Sequence, residues 1–214
     1  MSNAFEKMNR MYRHQRYFYD ATRKYYLLGR DQLVARMEIE TDANVLEIGC
    51  GTGRNLIALA KKFPASNLYG LDASSAMLET AQAKVDAQDL ENINLKTALA
   101  DDFDYRKTFN LETPFDLIYF SYSISMIPVW REAIENALNN LKSGGSLYVV
   151  DFYDQRDLPA WFRRILTGWL KQFHVVYPKE LLPHLEDLER RGAGALSVDS
   201  IYKSYAFVAE FQKS

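Results

Sequence analysis

The chain is expected to fold as an α/β protein on a seven-stranded, mostly parallel sheet whose last strand runs antiparallel, with helical lids. Three observations point there. From residue 44 onward, strand-like and helix-like stretches alternate. The first strand-like run leads into a glycine-rich turn, EIGCGTG at 47–53. The chain ends on two strand-like runs with almost no linker, which suits an antiparallel hairpin.

The elements follow in order. Residues 44–49, NVLEIG, read as a buried strand, and 54–62 as a helix opening directly after the glycines. NLYGLD at 67–72 is a second strand, and 74–88, rich in Ala, Met and Gln, a second helix. Strands are expected at 93–99 and 115–122, a helix over 130–141 ending at Ser-Gly-Gly, and a fifth strand at 146–152. This βαβ rhythm implies a parallel sheet covered on both faces. The stretches 195–202 and 204–212 supply the closing hairpin. Two segments stand outside the rhythm: an aromatic-rich helical arm within 1–36, and two further helices over 157–191. Both are expected over the C-terminal edge of the sheet, where open α/β sheets bind ligands.

Composition sets bounds. A chain of 214 residues, 48% hydrophobic and 25% charged, fits one soluble domain spanning 1–214. No apolar run approaches the roughly 18 residues of a membrane span, and the N-terminus lacks a signal peptide's apolar core, so a cytoplasmic location is expected. Cys50 is the sole cysteine, and His14, His174 and His184 are far apart, so neither a disulfide framework nor a metal site is expected. A net charge of −2 argues against a nucleic-acid partner. Within 1–36, however, eight Lys/Arg face three acidic residues. A basic arm on an acidic body suits an anionic surface, though a solvated helix face gives the same pattern.

The glycine turn carries the chemistry. Gly49, Gly51 and Gly53 occupy every second position, where glycine weakens a strand or a helix, so close approach of backbone to a ligand must favour it. A dinucleotide fingerprint spaces its third glycine two residues on, for a pyrophosphate at the helix N-terminus. Here the spacing is G-x-G-x-G and Glu47 stands in front; an acid repels a pyrophosphate but suits a ligand carrying cationic groups. The second strand ends in Asp72, positioned to accept ribose hydroxyls, followed by Ala73. Asp101 and Asp102 close the third strand, where an adenine amine can be bound. A lone Asp after a strand is as often a helix cap, but the three acids in this order form a pattern.

VLEIGCGTG, GLDAS and ADD resemble the successive cofactor motifs of class I S-adenosylmethionine-dependent methyltransferases. The resemblance covers 44–152 and implies a Rossmann-like fold with S-adenosyl-L-methionine as cofactor. It implies that Gly49 and Gly51 pack under the methionine part, with Cys50 a small loop residue between them, that Asp72 holds the ribose, and that Asp101 faces adenine. Ser121 lines the methionine side, and Met77 lies either near the adenine ring or in the core.

The acceptor is read from the lids. In 158–175, Trp161, Phe162, Ile165, Leu166, Trp169, Leu170 and Phe173 recur at helical spacing with Arg163, Arg164 and Lys171 between them. Such a helix either rests in a membrane interface or faces the core with a basic back. Together with 12–31 and 120–130, the stretch 150–175 resembles the methyltransferase component of betaine-lipid synthesis, the diacylglyceryl-homoserine N-methyltransferases. That resemblance implies methylation of a lipid amine to a trimethylated betaine by a protein peripheral to an anionic membrane, with a partner enzyme supplying the amino-acid lipid. Phosphatidylethanolamine, a soluble amine, or an inactive membrane-binding module are the alternatives. Tyr19, Tyr26 and Tyr122 are candidates to face the growing cation, although among 14 tyrosines any one is more often structural. Asp151 is a candidate to orient the amine or take its proton, or alternatively to cap a helix. Arg23, Arg30 and Arg156 are candidates for the substrate carboxylate, and Arg30 alternatively for the cofactor's own.

Overall fold

A computed structural model describes residues 27–161, 163, 164, 166, 168 and 179–214. Seven strands form one sheet: β1 Asn44–Ile48, β2 Asn67–Asp72, β3 Ile93–Thr97, β4 Phe115–Ser121, β5 Leu141–Phe152, β6 Gly194–Ile201 and β7 Ala206–Lys213. Their spatial order is β3-β2-β1-β4-β5-β7-β6. The first five are parallel; β7 runs antiparallel to both β5 and β6. The chain therefore builds outward from β1 to β3, then returns across β1 to start β4. The strand order reverses between β1 and β4, the place where sheets of this kind leave a crevice for ligands.

Six helices are described: α1 Arg30–Arg36, α2 Arg54–Lys62, α3 Ser75–Asp86, α4 Tyr105–Phe109, α5 Trp130–Asn139 and α6 Leu181–Arg190. Alternation along the strands divides the apolar side chains between two layers. Val45, Tyr119, Val150 and Val208 pack with Leu33, Leu56 and Leu59 on one face. Leu46, Ile118, Phe120 and Phe207 pack with Ile134 and Leu185 on the other. Both layers are fully enclosed, which is why the central strands read as nearly continuous apolar runs.

Most predicted elements fall within a residue or two of those observed, and three differences have physical reasons. The fifth strand begins at Leu141, and the preceding helix ends at Asn139, because Leu141 is buried opposite Phe115 before a register shift carries the pairing on to Leu117 and Ser146. Gly145 sits at that irregularity, where a Cβ would lie 2.8 Å from the Asp116 carbonyl. The short helix α4 was not anticipated; Asp104 caps it, accepting from the Arg106 and Lys107 N–H groups. The third strand stops at Thr97, so Asp101 and Asp102 belong to the turn beyond it. Of the N-terminal arm, Tyr19, Arg23 and Tyr26 lie outside the described residues, as do Phe162, Ile165, Thr167 and 169–175 of the 158–175 segment.

Among the described residues no helix is long and apolar enough to cross a membrane. An open groove of about 1080 Å³ lies at the N-terminal edge of the sheet, lined by Met37, Thr41, Lys62, Asp116, Lys142 and Tyr148 among others. Of the motif residues only Val45, at the start of β1, lines it; the glycine turn and the acids at the ends of β1 and β2 and beyond β3 gather at the opposite edge.

Candidate active site

The turn after β1 is folded by the residues the sequence singled out. Gly49, Gly51 and Gly53 all have left-handed backbone, at φ +75°, +54° and +73°. The Gly49 and Cys50 N–H groups both donate to the Leu71 carbonyl, at 2.7 and 3.0 Å, tying the turn to the end of β2. At Gly49 a Cβ would lie 2.5 Å from the Ser123 Cβ, so only glycine lets the turn pass under β4's end, where the Ser123 hydroxyl donates to the Ile48 carbonyl at 2.7 Å. Gly51 has more room, its nearest neighbour being the Met77 methyl at 3.6 Å.

Asp72, at the end of β2, is 9% exposed and held by two backbone donors. Its Oδ2 accepts from the Gly51 N–H and its Oδ1 from the Ser74 N–H, each at 2.8 Å. One carboxylate thus joins the glycine turn to the start of α3 and remains oriented at the sheet edge. Ser74 caps α3 by accepting from the Met77 N–H. Ala73 is partly exposed between them, while Met77 is buried. Asp101 and Asp102 are exposed in the turn beyond β3.

Glu47 is only 2% exposed. Its Oε1 accepts from the Asn55 amide at 2.7 Å, and its Oε2 has no hydrogen-bond partner. Burial pushes its carboxyl up to about 8, opposed by the Asn55 donor, Tyr119 and the Arg30 charge and reinforced by Asp72. Tyr119, paired with Glu47 across β1 and β4, is fully buried, and its hydroxyl too lacks a partner of ordinary geometry. Burial first, and then the Glu47 charge, lift the Tyr119 hydroxyl well above its ordinary range and keep it neutral. Asn55 and Tyr119 were missed by sequence reasoning; a polar residue on the buried face of α2 was the only available signal. Burial, then the Asp72 and Glu47 charges, lift the Cys50 thiol well above its ordinary range, which agrees with a loop residue rather than a nucleophile.

Arg30, in the first turn of α1, is buried, with its Nε donating to the Leu27 carbonyl at 3.3 Å. Arg156 is at the surface near Asp154, 3.7 Å away, with a guanidinium 5.7 Å from the Tyr153 ring. The two arginines sit in unlike environments, and only Arg30 acts on Glu47. Asp151 is completely buried at the end of β5; its Oδ2 accepts from the Ser125 N–H at 3.0 Å and its Oδ1 from its neighbour Phe152 N–H at 2.7 Å. Ser121 is buried with an unpartnered hydroxyl.

Tyr122 requires a correction. The expectation of an open ring face for the acceptor is not met: the residue is 2% exposed, with its ring edge-on to Phe152 at 4.8 Å. Its hydroxyl donates to the Leu28 carbonyl, and its backbone is left-handed at φ +54°. It pins the segment before α1 to the sheet edge.

A sheet in this order, with an acid-led glycine turn after β1 and an oriented aspartate after β2, defines the class of S-adenosylmethionine-dependent methyltransferases. The chain belongs to the methyltransferase domain family, whose model matches residues 12–189. A demethylmenaquinone methyltransferase of Listeria welshimeri is 25% identical over 157 residues, covering 73% of this chain and 64% of that protein. A trans-aconitate 2-methyltransferase of Deinococcus radiodurans is 34% identical over 107 residues, covering 50% of this chain and 37% of that protein. The chain thus spans less than two thirds of the length of these curated relatives. Among solved structures, the S-adenosylmethionine-dependent methyltransferase SibL is similar with a TM-score of 0.69 at 17% identity, over 92% of this chain and 57% of that one. A methyltransferase from Aquifex aeolicus gives a TM-score of 0.61 at 17% identity, over 90% and 93%. These likenesses show the fold.

The residues present fit S-adenosylmethionine. The buried Glu47 oxygen without a hydrogen-bond partner suits a ligand ammonium, and the Asp72 carboxylate, oriented at the sheet edge by two N–H groups, suits ribose hydroxyls.

Proposed function

We propose that this chain is an S-adenosylmethionine-dependent N-methyltransferase acting on the amine of a lipid head group, with diacylglyceryl homoserine as acceptor and the trimethylated betaine lipid as product. The carrying observation is a succession of environments along the chain. The wholly buried carboxylate of Asp151 ends β5, and only ten residues further on Trp161 is 68% exposed, with Arg163 and Arg164 exposed beside it. Leu166 is buried, so this segment turns an aliphatic side chain inward while leaving an aromatic and two cations outward. An exposed tryptophan flanked by arginines suits a membrane interface.

The cofactor supplies an electrophilic methyl group on a sulfonium. The protein's part is alignment, which can carry much of the barrier when the reacting groups are held in line. Asp72 fixes the ribose and Glu47 the amino-acid end. An acceptor α-amine titrates near roughly 8, so it must lose a proton before it attacks. Asp151, its carboxylate oriented by the Ser125 and Phe152 N–H groups, receives or directs that proton. Arg30 is assigned to a carboxylate, the cofactor's or the acceptor's.

The second reading is methylation of a demethylmenaquinone acceptor, favoured by the Listeria relative's match over 73% of this chain. One experiment separates the readings. The protein is incubated with methyl-labelled cofactor and, separately, diacylglyceryl homoserine, phosphatidylethanolamine, demethylmenaquinone and soluble amines, followed by mass spectrometry of the products. Label accumulating as three methyls on the amino-acid lipid is expected. Label confined to any of the other acceptors overturns the lipid-amine assignment, and no binding of S-adenosylhomocysteine by calorimetry indicates an inactive module.

A further inference from the structure

We infer that the cofactor's ammonium group displaces a proton from Glu47 as it binds, so that cofactor affinity is coupled to pH through a cluster of Glu47, Tyr119, Asn55 and Arg30. The inference rests on the cofactor assignment and goes beyond it in saying what the seat does when the ligand arrives.

The geometry is that of a half-satisfied acid. One Glu47 oxygen is engaged by Asn55 at 2.7 Å, and the other is buried with nothing to bond. The Tyr119 hydroxyl, on the residue paired with Glu47 in the neighbouring strand, is likewise buried and unpartnered. Two orphaned polar groups side by side are costly in a protein interior, and native structures contain few. A proton on Glu47 gives this corner a donor that an ionised carboxylate lacks. Without that proton, the corner holds a buried charge that the Asn55 amide and the Tyr119 hydroxyl stabilise only in part and that an arriving cation would pair.

Charged groups on every neighbouring element bear on the outcome. The Asn55 donor from α2, the Tyr119 hydroxyl from β4 and then the Arg30 charge from α1 favour the ionised form. Asp72, from β2, opposes it, and the Cys50 thiol in the turn stays neutral. Burial outweighs these and holds the carboxyl at about 8, so without a ligand Glu47 is mostly protonated at neutral pH. An arriving ammonium adds a second cation beside Arg30 and favours ionisation. The O–H bond of the carboxylic acid breaks, its proton leaves to solvent, and the carboxylate pairs with the ammonium. Charge and atoms balance with one proton released per ligand bound.

The test is isothermal titration calorimetry with S-adenosylhomocysteine, at each pH in two buffers of unlike ionisation enthalpy. The dependence of the observed heat on buffer counts the protons exchanged. Wild type is compared with Glu47→Gln, which cancels any proton contributed by the ligand's own amine. The expected difference is close to one proton at about pH 7, fading to near zero above about pH 9. Wild-type affinity should tighten by up to about tenfold per pH unit from 6 to 7.5, with a flat profile in the variant. Should the variant not fold or not bind, Asn55→Ala, which removes a donor to the carboxylate, should move the proton-release window to higher pH. Equal proton counts in wild type and Glu47→Gln, or an unmoved window in Asn55→Ala, overturn the inference while leaving the cofactor assignment standing. Absence of binding by wild type at every pH overturns the cofactor assignment and the inference with it.

Discussion

Glu47→Gln should stabilise the ligand-free protein, and increasingly so as pH rises. In the folded chain the carboxyl is lifted from 4.5 to about 8, with burial the largest cause. The unfolded chain releases its proton near 4.5, so between those values the folded state holds more protons than the unfolded one. Stability therefore falls as pH rises through that interval and levels off above about 8. At roughly 1.4 kcal/mol per pKa unit, the whole lift costs about 5 kcal/mol once the group is forced to ionise, of which about 2 is already lost by pH 6. Some 2–3 kcal/mol should therefore disappear between about pH 6 and 9, on the order of 5–10 °C in melting temperature for a domain of this size. A glutamine keeps the shape, still accepts from Asn55 and cannot ionise. Its amide also offers a donor in the corner where the Tyr119 hydroxyl has no partner.

The assay is thermal unfolding of both proteins from pH 6 to 9, read as the difference between them so that all other titrations cancel. The gap should widen with pH and then hold constant. Parallel melting curves, or a variant that loses ground as pH rises, would refute the reasoning that Glu47 is a buried acid carrying an ionisation cost.

Three further outcomes follow from the site and its frame. Asp72→Asn should weaken S-adenosylhomocysteine binding by about 10- to 100-fold, since bonds to a charged acceptor are worth about 1.5–3 kcal/mol; an unchanged titration would remove Asp72 from the ribose seat. Gly49→Ala should cost about 2–4 kcal/mol, a left-handed backbone plus a Cβ 2.5 Å from Ser123, whereas Gly144→Ala, at φ +77° with nothing within 4 Å, should cost only about 1–2 kcal/mol for the backbone. Equal losses in urea unfolding would show that the contact with Ser123 is immaterial. Arg36→Ala, which breaks a 2.5 Å ion pair with Asp199 whose side chains are 40% and 55% exposed, should change stability by less than about 1 kcal/mol in the same assay.

The glycine turn and the acids around it were legible because they are local in sequence. Turn glycines, an acid two residues ahead and an aspartate ending the next strand are each set by neighbours within a few positions. The residues that complete Glu47's surroundings were not legible, because they come from strand pairing and helix packing. Tyr119 meets Glu47 only once β4 lies beside β1, and Asn55 only once α2 packs over them. Tyr122 misled for a related reason. An aromatic at the end of a central strand looks available to a ligand, yet its left-handed backbone and bond to Leu28 turn it into a fastening for the chain before α1. The early start of β5 was hidden by Gly144 and Gly145, which read as a turn and instead lie at a register shift within a strand.

The topology explains why these groups converge where they do. The chain lays β1, β2 and β3 outward in one direction, then doubles back to set β4 against the other side of β1. Of the parallel pairs, β1–β4 is therefore the one whose following loops diverge to opposite sides, and the pair Glu47–Tyr119 bridges it. A carboxylate there is enclosed by the very packing that opens a crevice above it, and the fold bears its burial whether or not a ligand is bound. The acceptor makes no comparable demand on the sheet. An in-line displacement needs its second reactant only aligned, so acceptor groups can be carried by segments added around a constant frame. On the reading proposed above, Asp151 belongs to the frame and Trp161, Arg163 and Arg164 to such a segment. Acceptor identity should therefore change with replacement of the lid residues while cofactor affinity, set by β1, β2 and β4, stays put.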